Sequence, residues 1–239
     1  MRVIALLSGG KDSVCAVETA RGFGWDVVAG LTMVPVSDDA WMFHTPNLHV
    51  VRGVAQCLGL PLVECPVAEG PDEEVRGLEQ ALASAKRSFN LDGLVSGALA
   101  SEYQRTRLDA IGHRIGLASF APLWHKAPLP YVEGLIAAGY DMRFSRVAAD
   151  GVPNEWAGQR LDAGKLRALA ASPGRPHVAG EGGEYETLVM DAPCYARRLV
   201  VDAATVEAAA SRATWLVTSW HTEAKGGQAG PARQPAKAV

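Results

Sequence analysis

The hydrophobic pattern of this chain changes character about half-way along. Through the first half, short continuous apolar runs alternate with longer segments of helical spacing. Val3–Leu7 is a run of five apolar residues, the pattern of a strand covered on both faces. A helix is expected from Val14, then a strand over 26–33 and a loop over 34–46. A helix over 47–58 follows, stopped by Gly59, then a strand over 61–67 and a helix over 73–88. A strand over 92–98, a helix over 102–115 and a fifth strand, or the end of one, over 120–124 complete this half. Strands alternating with helices predict right-handed βαβ units and a parallel sheet.

The second half reads differently. A helix is expected over 128–138, a strand over 142–148, a helix over 161–171, and short strands over 187–191, 198–202 and 215–220. This mix predicts a smaller α+β domain. The expected division is 1–126, 127–223 and a flexible tail over 224–239, whose Gly, Ala and Pro cannot bury enough apolar surface to order themselves. Residues 203–214 (AATVEAAASRAT) match no motif.

Composition adds bounds. The 239 residues are 48% hydrophobic and 21% charged, with a net charge of −3. That length supports one large or two small domains with a core, and the charge argues against direct nucleic-acid binding through a basic field. There is no apolar run of membrane-spanning length and no signal pattern at the N-terminus, so a cytoplasmic location without membrane contact is expected. Cys15, Cys57, Cys65 and Cys194 form no CxxC pair, which argues against a zinc or dithiol site, and Cys15 and Cys57, set among apolar helical residues, read as small buried hydrophobes.

The chemistry concentrates in Ser8-Gly9-Gly10-Lys11-Asp12-Ser13, between the first strand and the first helix. Glycines bring backbone against a ligand, a helix start offers free N–H groups to an anion, and Lys11 adds a full positive charge. Ser8 and Ser13 add donors, and Asp12 can hold Mg²⁺ or order the loop. The GxxxxGK[ST] spacing of the common phosphate loop is absent. Ligands of a parallel sheet sit beyond the carboxyl ends of its strands, so Thr32, Met33 and Gly97 are expected beside this loop.

Other stretches carry weaker signals. In Phe43-His44-Thr45-Pro46-Asn47, Thr45 suits a helix cap and Pro46 a first helical position. His44 is left as either a phosphate or substrate ligand or a solvent-facing side chain. In SEYQRTR (101–107), Gln104 shares the buried stripe of Leu108 and projects toward the sheet end. Arg105 and Arg107 are each open between a phosphate-neutralising role and an exposed one, with Arg105–Asp109 spaced for a surface pair. Trp156 of EWAG is by itself more core-like than ligand-like. Glu181-Gly182-Gly183-Glu184-Tyr185-Glu186 clusters acids and glycines directly before a strand, where converging carboxylates repel. Such a cluster suits a cationic substrate, Mg²⁺ or ammonium.

SGGKDS resembles the PP-loop of the N-type ATP pyrophosphatases, which cleave ATP to AMP and pyrophosphate. The set SGGKDS, FHTPN, SEYQRTR, EWAG and GEGGEYETLVMDAP, in this order, closely resembles the diphthine–ammonia ligase family. The resemblance runs to about Val201. It implies an adenine nucleotide α-hydrolase-like fold, a doubly wound parallel α/β sheet. It also implies an ATP-dependent amidation, assisted by Mg²⁺, of diphthine on the translocation elongation factor, with ammonia as nitrogen donor. Ser8, Gly9, Gly10, Lys11, Asp12 and Ser13, with Thr32, Met33, His44, Gly97, Gln104 and Arg105, are then the expected ATP site. Tyr103, Arg107, Trp156, Glu181, Gly182, Gly183, Glu184, Tyr185 and Glu186 are the expected substrate side. Lys11, Asp12, Glu184 and Glu186 are the expected catalytic groups, and Asp12 the expected Mg²⁺ ligand. Diphthine carries a quaternary ammonium, which the acids and the Tyr185 ring can match. Amidation of a small carboxylate metabolite and PP-loop tRNA modification are the alternatives; the oligomeric state, a homo-oligomer included, stays open.

Overall fold

The computed structural model describes residues 1–35, 47–68 and 70–226. Its N-terminal sheet holds β1 (Arg2–Leu6), β2 (Asp26–Pro35), β3 (Leu62–Val67), β4 (Gly93–Val95) and β5 (Ala118–Phe120) in the order β3-β2-β1-β4-β5. Every pairing is parallel. The helices are α1 (Lys11–Gly22), α2 (Val51–Leu58), α3 (Pro71–Phe89) and α4 (Glu102–Ile115). The continuous apolar run of β1 is explained by cover on both faces. Val3, Ala5 and Leu7 pack with Val14 and Val17 of α1 and Val51 and Val54 of α2. Ile4 points the other way, into a cluster with Leu78 and Leu82 of α3 and Leu108 and Ile111 of α4. The chain winds outward from β1 to β3 on one side, then restarts at β4 on the other. The crevice beyond β1, at this reversal of strand order, is where such folds bind ligands.

The C-terminal domain holds α5 (Pro128–Ala137), β6 (Asp141–Val147), α6 (Ala163–Ala171), β7 (Tyr185–Asp191), β8 (Arg197–Ala209) and β9 (Arg212–Ala224). Its four strands form an antiparallel sheet in the order β7-β6-β9-β8. The expected α/β architecture with a smaller α+β domain is present. One continuous apolar core joins the two, running from Val3 and Val51 through Phe144 and Tyr185 to Val217.

Several boundaries differ from those expected, each for a local reason. Helix α1 begins at Lys11 rather than Val14, so Lys11, Asp12 and Ser13 form its first turn. Strand β4 stops at Val95; Ser96 N–H still donates to Phe120 O of β5 at 2.9 Å, and the chain leaves the sheet at Gly97. Strand β5 covers 118–120 instead of 120–124, because Ala121–Trp124 turn back on themselves. The helix expected from Asn47 starts as a 3-10 turn over Leu48–Val50; Thr45, Pro46 and His44 lie outside the described residues. The two C-terminal strands are 13 residues each rather than short, and residues 203–214 form the outer part of their hairpin. Its outer positions are mostly exposed, so no burial alternation marks them in the sequence. Strand β9 also continues through Ala224, and Lys225 is fixed by its Nζ to Ala192 O at 2.6 Å. The segment expected to be a free tail therefore starts inside the hairpin; residues 227–239 lie outside the described residues.

Candidate active site

A cavity of about 290 Å³ opens at the carboxyl end of β1, β2 and β4. Its walls include Ser8, Gly10, Lys11, Asp12 and Ser13, the β2 end Leu31–Met33, Ser96–Ala98, and Gln104 of α4. Gly9 takes φ +81°, a left-handed conformation that suits glycine, and this turns the chain from β1 into α1. The loop is tied internally: Ser13 Oγ donates to Gly10 O at 2.9 Å, and Ser8 N–H donates to Ser13 Oγ at 3.3 Å. Gly97 is required by closeness. A Cβ there would lie 2.6 Å from the Asp12 carbonyl carbon and 2.7 Å from Ser13 N.

The remaining wall comes from the C-terminal domain, with Gly180, Glu181, Tyr185, Glu186 and Thr187. Strand β7, an edge strand of its own sheet, is seated on the glycine-rich loop. Val189 N–H donates to Gly9 O at 3.0 Å, and Lys11 N–H donates to Thr187 Oγ1 at 3.0 Å. Lys11 is almost completely buried, at 3% exposure. Its ammonium donates to Asp12 Oδ2 at 2.9 Å and to Ala179 O at 2.5 Å, and lies 5.4 Å from the centre of the Tyr185 ring. Burial works against that charge, but Asp12, aided by Glu181, more than offsets it and holds the Lys11 pKa above the ordinary lysine range. Asp12 is held on both oxygens, since Tyr131 Oη donates to Oδ1 at 2.8 Å.

The acidic stretch separates into distinct environments. Glu181 Oε2 accepts from Ala100 N–H at 2.9 Å, linking the two domains across the cavity mouth; burial, then the Asp12 charge, raises its pKa. Glu184 folds back on its own loop, accepting from His177 N–H at 3.0 Å and Gly182 N–H at 2.8 Å. Glu186 faces Arg146 at 3.9 Å. Burial pushes its pKa up to about 7 against the opposing influence of Arg146.

A diphthamide synthase N-terminal domain model matches residues 1–119, and a diphthamide synthase C-terminal domain model matches residues 127–224. The chain belongs to the diphthamide synthase family. Relatives include the diphthine–ammonia ligase of Danio rerio, 31% identical over 85% of this chain and 87% of that protein. The diphthine–ammonia ligase of Homo sapiens is 31% identical over 86% of this chain and 85% of its own length. A solved structure described as a predicted subunit of tRNA methyltransferase from Methanocaldococcus jannaschii aligns with 60% of this chain and 77% of its own, at 16% identity and a TM-score of 0.38.

In this diphthamide synthase family member, the cavity gathers Ser8, Gly10, Lys11, Asp12, Ser13, Thr32, Met33, Gly97, Gln104, Glu181, Tyr185 and Glu186 from the residues singled out in the sequence. Gly9 supports it through its turn and its carbonyl. Others are placed elsewhere. Arg105 pairs with Asp109 at 3.4 Å and lies 4.6 Å from the Trp124 ring centre, the surface arrangement that its spacing allowed. Arg107 stacks on Tyr103 at 3.3 Å and donates to the Tyr103 carbonyl, so this pair satisfies itself on the outer side of α4. Trp156 packs on Phe144, with ring centres 5.5 Å apart. Gly182, Gly183 and Glu184 form the closed turn that leads into β7 rather than cavity wall. The Tyr185 ring is also not free as an aromatic face for a cation: Lys11 lies over it, and its hydroxyl donates to Val178 O at 2.6 Å. His44 lies outside the described residues.

Three contributors carried no assignment from the sequence. Thr187 receives the first-turn N–H of α1, and its place inside the GEGGEYET stretch was the available signal. Tyr131 reaches Asp12 from α5, and Ser96 lines the cavity; neither has a local pattern that marks it.

Proposed function

We propose that this protein is an ATP-dependent acid–ammonia ligase that converts diphthine on the translocation elongation factor to diphthamide, releasing AMP and pyrophosphate through an acyl-adenylate. One observation carries the reading: in a diphthamide synthase family member, the strand bearing the acidic stretch is hydrogen-bonded directly to the glycine-rich loop at the switch point of the parallel sheet. Activation and substrate choice then share one cavity.

A carboxylate is a poor electrophile, and its oxygen must become a leaving group before ammonia can displace it. Adenylation achieves this by attack on the α-phosphate of ATP, with the departing pyrophosphate held and neutralised. Ser8, Gly9, Gly10 and Ser13 would hold the pyrophosphate, at the positive end of α1. The Lys11 charge stands in the same wall. Thr32 and Met33 at the end of β2, with the apolar Leu6, Leu48 and Leu108, form the side suited to adenine. Among the described residues no group of three His, Cys, Asp or Glu is placed to cage a metal. One carboxylate beside substrate phosphates fits Mg²⁺, which commonly keeps several waters; Asp12 is that carboxylate. When bound, the ion supplies charge neutralisation at the pyrophosphate. Glu181 and Glu186 give the opposite wall a negative field suited to the cationic diphthine side chain.

The nucleotide product tests the reading. ATP incubated with the protein, ammonium and diphthine-bearing elongation factor should yield AMP and pyrophosphate, with both products dependent on the factor. Lys11→Met keeps the side-chain stem but removes the charge, and should lower pyrophosphate release on the order of 100-fold or more. ADP as product, or wild-type turnover by that variant, contradicts the assignment.

A further inference from the structure

The C-terminal domain reaches α1 with two tyrosine hydroxyls, and they end on different carboxylates. Tyr140 donates to Glu18, which is not part of the cavity wall. Tyr131 donates to Asp12 Oδ1 at 2.8 Å, and Asp12 lines the cavity with 25% of its side chain exposed. The other buried tyrosines of this domain, Tyr185 and Tyr195, donate to the backbone carbonyls of Val178 and Val189. A hydroxyl directed at a cavity carboxylate is therefore particular to position 131.

Asp12 is fixed in its main chain and in its side chain. The main chain lies against Gly97 with no room for a Cβ between them. In the side chain, Oδ2 accepts from Lys11 Nζ at 2.9 Å and Oδ1 accepts from Tyr131. One hydrogen bond is a pivot about which a carboxylate can still turn; a second, on the other oxygen, stops the rotation. A carboxylate offers about four lone-pair positions, so two donors orient the group and leave about two positions for a cation. Tyr131 is itself firmly held. Pro128 stands at the start of α5, where its fixed φ suits a first helical position. The Tyr131 ring, 9% exposed, lies in the core cluster that also holds Val14, Leu99 and Leu123.

We propose that Tyr131 is the positioning residue that holds the Asp12 carboxylate in the orientation in which it receives the Mg²⁺ of MgATP, an assignment that rests on the ligase reading above. Asp12 touches the ion, and Tyr131 acts only through Asp12. The nucleotide half of the site is then completed by the second domain. The glycine-rich loop belongs to the N-terminal domain at residues 1–119, and the donor that orients its carboxylate belongs to the C-terminal domain at 127–224.

Calorimetric titration of ATP into the full chain, without protein substrate or ammonium, tests this with no turnover. Tyr131→Phe keeps the ring in the core and removes only the hydroxyl. It should weaken ATP binding in Mg²⁺ about 10–100-fold, while binding in EDTA changes by less than about threefold. Tyr140→Phe removes the matching bond to Glu18 from the same helix and should change both by less than about threefold. Each variant loses one hydrogen bond to a carboxylate, so their melting temperatures should fall by similar amounts. In an Asp12→Asn background, Tyr131→Phe should add less than about a twofold loss, because the two residues act as one unit. Equal weakening by the two Phe variants, or equal weakening in Mg²⁺ and in EDTA, would reduce Tyr131 to a structural contact and overturn the proposal. So would unchanged binding in Tyr131→Phe, or an effect that persists in full beside Asp12→Asn. Wild-type binding that is absent, or no tighter in Mg²⁺ than in EDTA, instead contradicts the nucleotide reading of the cavity and takes this assignment with it.

Discussion

At the scale of single residues, the site depends on close approach more than on side-chain reach. Gly97 has no room for a Cβ against the Asp12–Ser13 backbone, so the end of β4 and the first turn of α1 are in contact through bare main chain. Gly97→Ala should force this turn away from its position. Expected outcomes are a stability loss of about 1–3 kcal/mol in denaturant unfolding and a larger proportional loss of ATP-dependent activity. Unchanged activity in a correctly folded variant would show that the loop tolerates displacement. Much of this layer was legible. SGGKDS announced a tight turn from strand into helix, which Gly9 makes, and Gln104 was placed toward the sheet end by its spacing from Leu108, where it lines the cavity. The arginines were not decidable, because two donors three positions from a cavity residue have the same sequence signature whether they turn inward or stack on a neighbouring ring. Arg105 on Trp124 and Arg107 on Tyr103 show the outward solution.

At the scale of elements, the C-terminal hairpin is fastened to the N-terminal domain by Asn47. This residue is buried, takes φ +66°, and mimics a peptide: its Nδ2 donates to Trp215 O at 2.8 Å, and its Oδ1 accepts from Val217 N–H at 2.8 Å. His49 reaches Val217 O from the same turn at 2.9 Å. Asn47→Ala leaves a buried carbonyl and a buried N–H unsatisfied, a cost of about 2–5 kcal/mol for the pair, or a fall in Tm of roughly 5–15 °C for a chain of this size. Thermal unfolding with and without the substitution measures it, and a shift below about 1 °C would show that the clip is redundant. The hairpin itself was the least legible element. AATVEAAASRAT is alanine-rich and mostly exposed, so neither the period-2 alternation of a half-buried strand nor a strong strand composition marks it. Its pairing with β9 along the whole length, from Arg197–Ala224 to Ala209–Arg212, is a tertiary fact. The parallel half was easier, because strands covered on both faces are written as apolar runs and their helices as stripes.

At the scale of the whole molecule, two sheets of different construction share one core and one cavity. The parallel sheet supplies the strand ends and the helix start; the antiparallel sheet supplies an edge strand whose backbone and Thr187 hydroxyl close the loop from the other side. Under the proposed function, this arrangement would make the choice of substrate a property of the second domain and its activation a property of the first. It also explains why the acidic stretch carries three different environments within six residues. Glu184 shapes the turn, Glu181 ties the two domains at the mouth, and Glu186 lies against Arg146 across the β6–β7 ladder. No sequence pattern separates these three, since each is a glutamate beside a glycine, a tyrosine or a threonine, and only the folded hydrogen bonding tells them apart.

The central claim, that this cavity amidates diphthine at the expense of ATP, is tested most directly by the mass of the peptide of the protein substrate that carries the modified histidine. Elongation factor bearing diphthine, incubated with the protein, ATP, Mg²⁺ and ammonium, should lose about one mass unit at the modified histidine as hydroxyl becomes amine. With ¹⁵N-ammonium as donor the product should be about one mass unit heavier than with ordinary ammonium, because one nitrogen enters, and neither product should form without ATP. An unchanged mass on diphthine-bearing factor, with ATP still consumed, would contradict the account.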